Sequence, residues 1–292
     1  MAGRAGGDVR AWLRTRPSLA ELRAAHPADW AAVQGDLAEL IARGDLEALK
    51  AYVLAMPPQA LVRRAVAAEL LRELALAHAA RAKPGGRVRF NLVNGWIAQR
   101  LLFESDLERK PVSLWRFRLL WPLLWQRRML MPLVGPKGVY CFYSKPLIER
   151  LARRIGDRPC LEIAAGDGTL ARFLAAEGVD VTATDDHSWS QSVAFPDTVL
   201  RQDAQEALRV HAPRVVIASW PPAGNPFERA VFETESVELY VVIGSRHPFA
   251  SGDWTAYEDQ TGFSFAEDEA LSRLVLPPEV EAAVHVFERR PR

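Results

Sequence analysis

The chain has 292 residues, 49% hydrophobic and 25% charged, with a formal net charge of +1 at pH 7. That length admits two domains, and that balance excludes a disordered chain and one with a strong overall field. The charge is nevertheless lopsided: residues 1–150 carry 24 Lys and Arg against 13 Asp and Glu, a net +11, and the remainder nets −10. Either the halves attract each other or the front half meets an anion. The two cysteines, Cys141 and Cys160, lie in or beside apolar runs without metal-ligand spacing. They predict reduced core thiols, a cytoplasmic location and no metal site. Met1–Arg16 has no apolar core of a secretory signal.

Residues up to about Arg81 read as helices. Ser18 and Glu21 form a capping box, Asp29–Ile41 and Asp45–Leu54 follow, and Met56-Pro57-Pro58 breaks the run. Leu61–Ala80 carries Leu61, Ala65, Ala68, Leu71 and Leu74 along one stripe. Lys83-Pro84-Gly85-Gly86 is a loop. Beyond it, bases and aromatics interleave through Trp96, Arg109, Trp115, Arg116, Arg118, Trp121 and Arg127. The tryptophans are spaced like core positions, which favours packing with arginines reaching outward. Nucleic acid bound through residues 83–128 is the alternative. Leu119–Val134 holds two arginines and two prolines and is too short to span a membrane. Residues 1–134 are therefore expected to form a helical, basic domain, and residues 135–292 a second one.

In the second domain, Ser144-Lys145-Pro146 opens a helix with Leu147, Leu151 and Ile155 on its buried face. Cys160–Ile163 reads as a buried strand containing one acid, Glu162. Gly166-Asp167-Gly168 is a tight turn, Thr169–Glu177 a helix ended by Gly178, and Val179–Thr184 a strand ending on Asp185-Asp186. Glycines let backbone approach a ligand, the helix aims free N–H groups at it, and an acid 17 residues past Gly168 suits ribose hydroxyls. Two nucleosides compete. Gly166 to Ala171 satisfies the G-x-G-x-x-G/A dinucleotide pattern, so NAD is one candidate. Glu162 favours a ligand with an ammonium group over a pyrophosphate.

Strands and helices continue to alternate, which predicts a doubly wound α/β sheet. Val199–Ala204 is a strand ending on Asp203, Arg214–Ser219 one ending on Trp220-Pro221-Pro222, and Val237–Ile243 a fifth. Arg246 and His247 sit in a polar loop. Phe249–Glu267 reads as loop, with Asp253-Trp254 a lid over substrate. Ser272–Leu276 and Ala283–Phe287 read as closing strands.

The stretch Glu162-Ile163-Ala164-Ala165-Gly166-Asp167-Gly168 resembles the first motif, E/D-x-G-x-G-x-G, of class I S-adenosylmethionine methyltransferases, with Ala164 for the first glycine. The resemblance covers Tyr143–Arg289. It implies a Rossmann-like seven-stranded sheet with a terminal antiparallel hairpin, formed by Ser272–Leu276 and Ala283–Phe287, and S-adenosylmethionine as cofactor. Glu162, Ala164, Gly166, Asp167 and Gly168 would hold its methionine end, Asp185 and Asp186 the ribose, Asp203 and the Ala204 N–H the adenine, with Ser219 beside them. Tyr143-Ser144-Lys145-Pro146 resembles the tyrosine-threonine-proline turn of some adenine methyltransferases. Trp220, Pro221 and Pro222 stand at the N/D-P-P-Y/F/W transfer motif, with Trp220 for the oxygen-bearing residue and Ala223 for the aromatic. Tyr143, Asn225, Arg246, His247 and Trp254 are the implied substrate residues. The expected acceptor is a small molecule. The alternatives are amino methylation of nucleic acid or protein, and a non-catalytic module that binds the cofactor or a nucleotide.

Overall fold

The computed structural model describes residues 9, 12–13, 19–43, 46–57, 60–68, 70, 92–124, 127, 130–190, 193–248 and 250–291. The Ser18 cap, the Lys83–Gly86 loop and the end of the 61–80 helix lie outside them. The chain divides into two compact units, Met1–His78 and Ala79–Arg292.

In the first unit, helices Leu19–Ala25, Pro27–Arg43 and Leu46–Ala55 are joined by a helical segment at 61–68. Leu22, Val33, Leu37, Val53, Val62, Val66 and Leu70 form its core. The expected stripe of Leu61, Ala65 and Ala68 is only half-buried. Ala65 and Ala68 offer little apolar area, and Val62, Val66 and Leu70 take the inner face instead.

The second unit begins with helices Leu92–Leu102, Leu114–Leu120 and Leu130–Val134. Leu102, Val112, Phe117, Trp121, Leu130 and Val134 share one core with Val139, Phe142 and Leu276. The domain boundary expected at Gly135 thus falls inside this unit, because the apolar residues on both sides of the Gly135–Lys137 turn are buried together.

Among the described residues nine strands follow: β1 (Phe142–Tyr143), β2 (Cys160–Ile163), β3 (Val181–Asp185), β4 (Val199–Arg201), β5 (Val215–Ser219), β6 (Leu239–Ser245), β7 (Phe263–Glu267), β8 (Val275–Leu276) and β9 (Ala282–Arg289). Seven make one sheet in the order β4-β3-β2-β5-β6-β9-β7, parallel except for β9, which is antiparallel to β6 and β7. Alternate residues face opposite ways. Cys160, Val215, Ile217, Val241 and Val284 pack against helices Lys145–Ile155 and Thr169–Ala176. Leu161, Val216, Tyr240, Val242 and Phe287 pack against helices Ala204–His211, Glu228–Glu233 and Trp254–Asp259.

The sheet and its terminal antiparallel pair are as expected, but one member of the pair is not. Phe263–Glu267, read as loop, is the partner of β9. Ser272 instead ends a short helix, and Val275–Leu276 leaves to pair with Phe142–Tyr143 in a separate two-stranded sheet. Aromatic contact decides the pairing: Phe265 stacks on Phe287 at 4.6 Å and 7°. Phe287 is fully buried and also meets Tyr257 at 4.9 Å and Phe232 at 5.1 Å. Phe287→Ala should therefore cost about 3–5 kcal/mol in urea unfolding. A loss below about 1 kcal/mol would remove the hairpin from the fold's supports.

Candidate cofactor and transfer site

The turn after β2 holds three residues in left-handed backbone within five: Ala164 at φ +49, Gly166 at +58 and Gly168 at +67. A Cβ on Gly168 would lie 2.6 Å from Val199 Cγ2, so the strand beyond β3 also requires glycine there. The turn is tied to the tip of β3. Asp185 Oδ2 accepts the Gly166 N–H at 3.0 Å, and Oδ1 accepts the His187 N–H at 2.9 Å. Burial raises the pKa of Asp185, and the two N–H donors pull against it.

Beneath the turn, Glu162 is fully buried and accepts the Ala171 N–H at 2.8 Å. Burial pushes its carboxyl up to about 8; the Ala171 N–H opposes the shift, and the charges of Asp167 and Asp185 add to it. Asp167 faces elsewhere. Its Oδ1 accepts the Thr169 N–H at 3.1 Å and a 2.6 Å bond from Arg109 Nη2. Arg109 is a site residue that the sequence did not single out. It is buried, donates from Nη1 to the Cys141 carbonyl at 2.9 Å, and lies 5.3 Å over the Tyr143 ring. Burial opposes its charge, and Asp167 more than offsets this, leaving its pKa raised. Arg172 holds the Arg109 carbonyl at 2.8 Å, so residues 109–112 are strapped to the helix after the turn.

The remaining acids do other work. Asp186 is exposed and accepts the Ser188 N–H at 2.8 Å. Asp203 is exposed and caps helix Ala204–His211 through the Glu206 N–H at 2.9 Å. It still stands two residues beyond Arg201, which is paired with Asp185, so both acids occupy one edge of the sheet. His187, also missed, stacks on Phe195 at 4.1 Å and 14°, and its Nε2 is buried without a hydrogen bond.

At the tip of β5, Ser219 Oγ is 2.7 Å from the Tyr143 hydroxyl. Trp220 follows in left-handed backbone, φ +54, its N–H bonded to the Ile243 carbonyl at 2.6 Å. Its indole stacks on Tyr140 at 6.2 Å and 28°, and its buried Nε1 faces the Cys141 thiol. Burial pushes the neighbouring Cys141 thiol's pKa up, and Arg109, Tyr143, Trp220 and Ser219 pull against that shift. Pro221 is buried and its carbonyl accepts the Gly252 N–H at 3.0 Å; Pro222 is exposed. His187, just past β3, brings its unpartnered Nε2 beside the glycine turn, whereas the Trp220 indole N–H is turned toward the Cys141 thiol. A buried polar atom left without a partner fits a polar ligand laid across strand ends.

The implied substrate residues do not gather there as a set. Asn225 commits its amide to the Pro222 carbonyl at 2.8 Å and Glu228 at 2.6 Å. Glu228, wholly buried, also accepts the hydroxyls of Tyr240 and Tyr257 and the Asp253 N–H at 2.7 Å. This carboxylate joins the loop after β5 to the loop before helix Trp254–Asp259. Trp254 packs on Tyr257 and His285 and donates to the Ser251 carbonyl, a core role instead of a lid. Arg246 is paired with Glu267 at 2.7 Å and His247 with Glu281 at 2.5 Å, both at the hairpin. Only Tyr143 stands beside Ser219.

No family model and no curated protein matches the sequence. Solved structures do. A SAM-dependent methyltransferase from Archaeoglobus fulgidus is 14% identical over 50% of this chain and 95% of its own, at a TM-score of 0.35. The 23S rRNA methyltransferase ErmE is 19% identical over 51% and 69%, at 0.29. TehB from Haemophilus influenzae is 13% identical over 49% and 61%, at 0.30. Scores this low add nothing to the strand order, which stands by itself: five parallel strands, a sixth parallel strand at the edge, and an antiparallel one inserted beside it. This is the Rossmann-like, seven-stranded arrangement that the motif resemblance implies. Within it, Ala164 occupies the first glycine position of the turn.

A non-glycine residue in left-handed backbone is disfavoured by about 1–2 kcal/mol, and replacing it by glycine costs about 0.4–1 kcal/mol of unfolded-chain entropy. Ala164→Gly should thus leave stability unchanged or raise it by up to ~1 kcal/mol, where the same change in a helix would lower it. Urea unfolding checks this; a loss above about 1 kcal/mol means the backbone at residue 164 is not left-handed.

Glu162 makes a second, pH-dependent prediction. Its folded pKa of about 8 exceeds the ordinary 4.5, so the folded state holds a proton that the unfolded state releases. The stability this confers is complete below pH 4.5 and is lost as pH rises toward 8. Glu162→Gln keeps the acceptor for Ala171 and cannot ionise, so the stability difference, variant minus wild type, should grow across that range. A difference that is flat with pH would mean the carboxyl titrates normally.

Proposed function

We propose that this chain is an S-adenosylmethionine-dependent methyltransferase acting on a small molecule in the cytoplasm. The observation that carries the reading is the Asp185 carboxylate closed on the Gly166 N–H, with the buried Glu162 carboxyl beneath the same turn. Asp185 keeps lone pairs for ribose hydroxyls. Asp203 and the Ala204 N–H lie along the same edge for adenine, and His187 adds a flat ring and a free nitrogen nearby. Glu162, buried with Asp167 and Asp185 adding negative charge nearby, favours the cofactor's ammonium end, and ionises when it arrives. The bound cofactor supplies the methyl group as a sulfonium. The chain's own residues orient an acceptor and keep water away. Trp220, Pro221 and Pro222 line that place, the indole by stacking or by cation–π attraction to a positive centre.

The acceptor class follows from what is missing. Trp220 brings no side-chain oxygen to grip an amine, Asn225 is committed to Glu228, and Ser219 Oγ is bonded to Tyr143. Amino methylation of nucleic acid or protein is therefore the less favoured activity. The two buried free cysteines, Cys141 and Cys160, fit a reducing compartment.

Heating scans with S-adenosylhomocysteine, S-adenosylmethionine, NAD and NADP test the cofactor. A ligand at about 100 times its Kd adds ~2.7 kcal/mol. Stabilisation by the first two and not by the dinucleotides is expected; the reverse pattern overturns the reading. Asp185→Ala should weaken S-adenosylhomocysteine binding by about 1.5–3 kcal/mol in titration calorimetry with the fold retained. Affinity for either ligand should also rise with pH up to about 8, as Glu162 ionises, and then level off. A pH-independent affinity would place the ammonium away from Glu162.

A further inference from the structure

Residues 109–148 contain eight Lys and Arg and no Asp or Glu. They fold so that Phe117, Trp121, Leu124, Leu130 and Val134 turn inward and fill a core. That inner stripe accounts for the packing, and it leaves a second apolar set outside. Trp115 is 66% exposed, Leu119 63% and Leu123 56%. Trp96 and Leu133 are exposed as well. Trp115 and Leu119 line a groove of about 770 Å³ whose other walls include Arg118, Lys145 and Pro146. Arg116 lies 5.3 Å from the Trp115 ring. Among the described residues no ion pair involves Arg116, Arg118 or Lys145, so these bases are not neutralised by the acidic half of the chain.

We infer that the face carrying Trp115, Leu119 and Leu123 docks on an anionic lipid surface, with Arg116, Arg118 and Lys145 meeting the headgroups. Exposed leucines beside exposed tryptophan and a run of bases of one sign are the chemistry of an interfacial anchor: aliphatic side chains enter the acyl boundary, the indole sits at headgroup level, and the cations meet phosphate. A nucleic acid would use the bases and Trp115, but it offers nothing to leucines 119 and 123, which cannot stack. A second copy of this chain would bring the same positive charge to the contact. Among the described residues no helix is long and apolar enough to cross a membrane, so the attachment is to the surface. The inference stands apart from the methyl-transfer reading, since none of its residues belongs to that site.

The test is co-sedimentation of the full chain with phosphatidylcholine vesicles, with and without phosphatidylglycerol, followed also by tryptophan emission. Binding to the anionic vesicles only, with a blue shift, is expected. Trp115→Ala combined with Leu119→Ser and Leu123→Ser should abolish it, and Arg116→Ala should weaken partitioning by about fivefold. All three apolar sites are at the surface, and an unchanged thermal unfolding midpoint shows that the variant is folded. Three results overturn the inference: no binding to either vesicle; tighter binding to single-stranded RNA that survives Leu119→Ser; or a dimer in the absence of lipid that Leu119→Ser dissociates.

Discussion

The site hangs on one contact, the Asp185 carboxylate closing on the backbone of the Gly166 turn. Three left-handed residues in five have few local hydrogen bonds to keep them in place. The turn is held instead from three sides: by Asp185 above, by the Ala165 N–H on the Thr184 carbonyl at 3.0 Å, and by Val199 pressed against Gly168. Each of those partners sits on β3 or β4. The turn therefore exists only once the parallel sheet has formed, and parallel pairing requires the helix between β2 and β3 to have crossed over.

This explains what the sequence could and could not disclose. The turn, the two strands and the acid are local in sequence, and each has a period or a glycine to mark it. The hairpin partner is hidden because Phe263–Glu267 is short and exposed on three of its five positions, so only its contact with Phe287 makes it a strand. Trp254 is hard to place for the same reason: its indole is assigned by His285 and Phe265, both distant in sequence. Arg109 cannot be found by spacing. It lies 58 residues before Asp167, and no local pattern separates it from the other arginines of its segment.

Asn225 shows the converse. Its type and its place after Pro222 suit a substrate ligand, yet it faces inward, because Glu228 has four donors to gather and Asn225 is the one that closes the loop. A buried carboxylate with this many donors is costly to disturb from any side. Its effect is to fix the path of the chain from Pro221 to Glu228 and to hold it against residues 251–257. Rigidity at Trp220 follows: the indole is positioned by backbone bonds on both flanks, to Ile243 before and, through Pro221, to Gly252 after.

A rigid, stacked indole in place of an oxygen-bearing side chain changes what the β5 tip can do. An amide or carboxylate there would draw an amine's hydrogen away as the methyl arrives. An indole cannot accept a hydrogen bond in its ring plane; it offers a flat apolar wall and a negative π-face. If the proposed reading holds, the acceptor is one that needs no proton removed by this residue and that gains from being held flat and dry. Trp220 sits between Tyr140 and the Cys141–Tyr143–Ser219 group, so the wall is continuous on one side and hydroxyl-bearing on the other. Tyr143 and Ser219 share one hydrogen bond, which leaves one hydroxyl proton and lone pairs on both oxygens for a further partner. On the methyl-transfer reading proposed above, the wall formed by Trp220, held in place by its left-handed backbone, is the feature that would favour a planar acceptor.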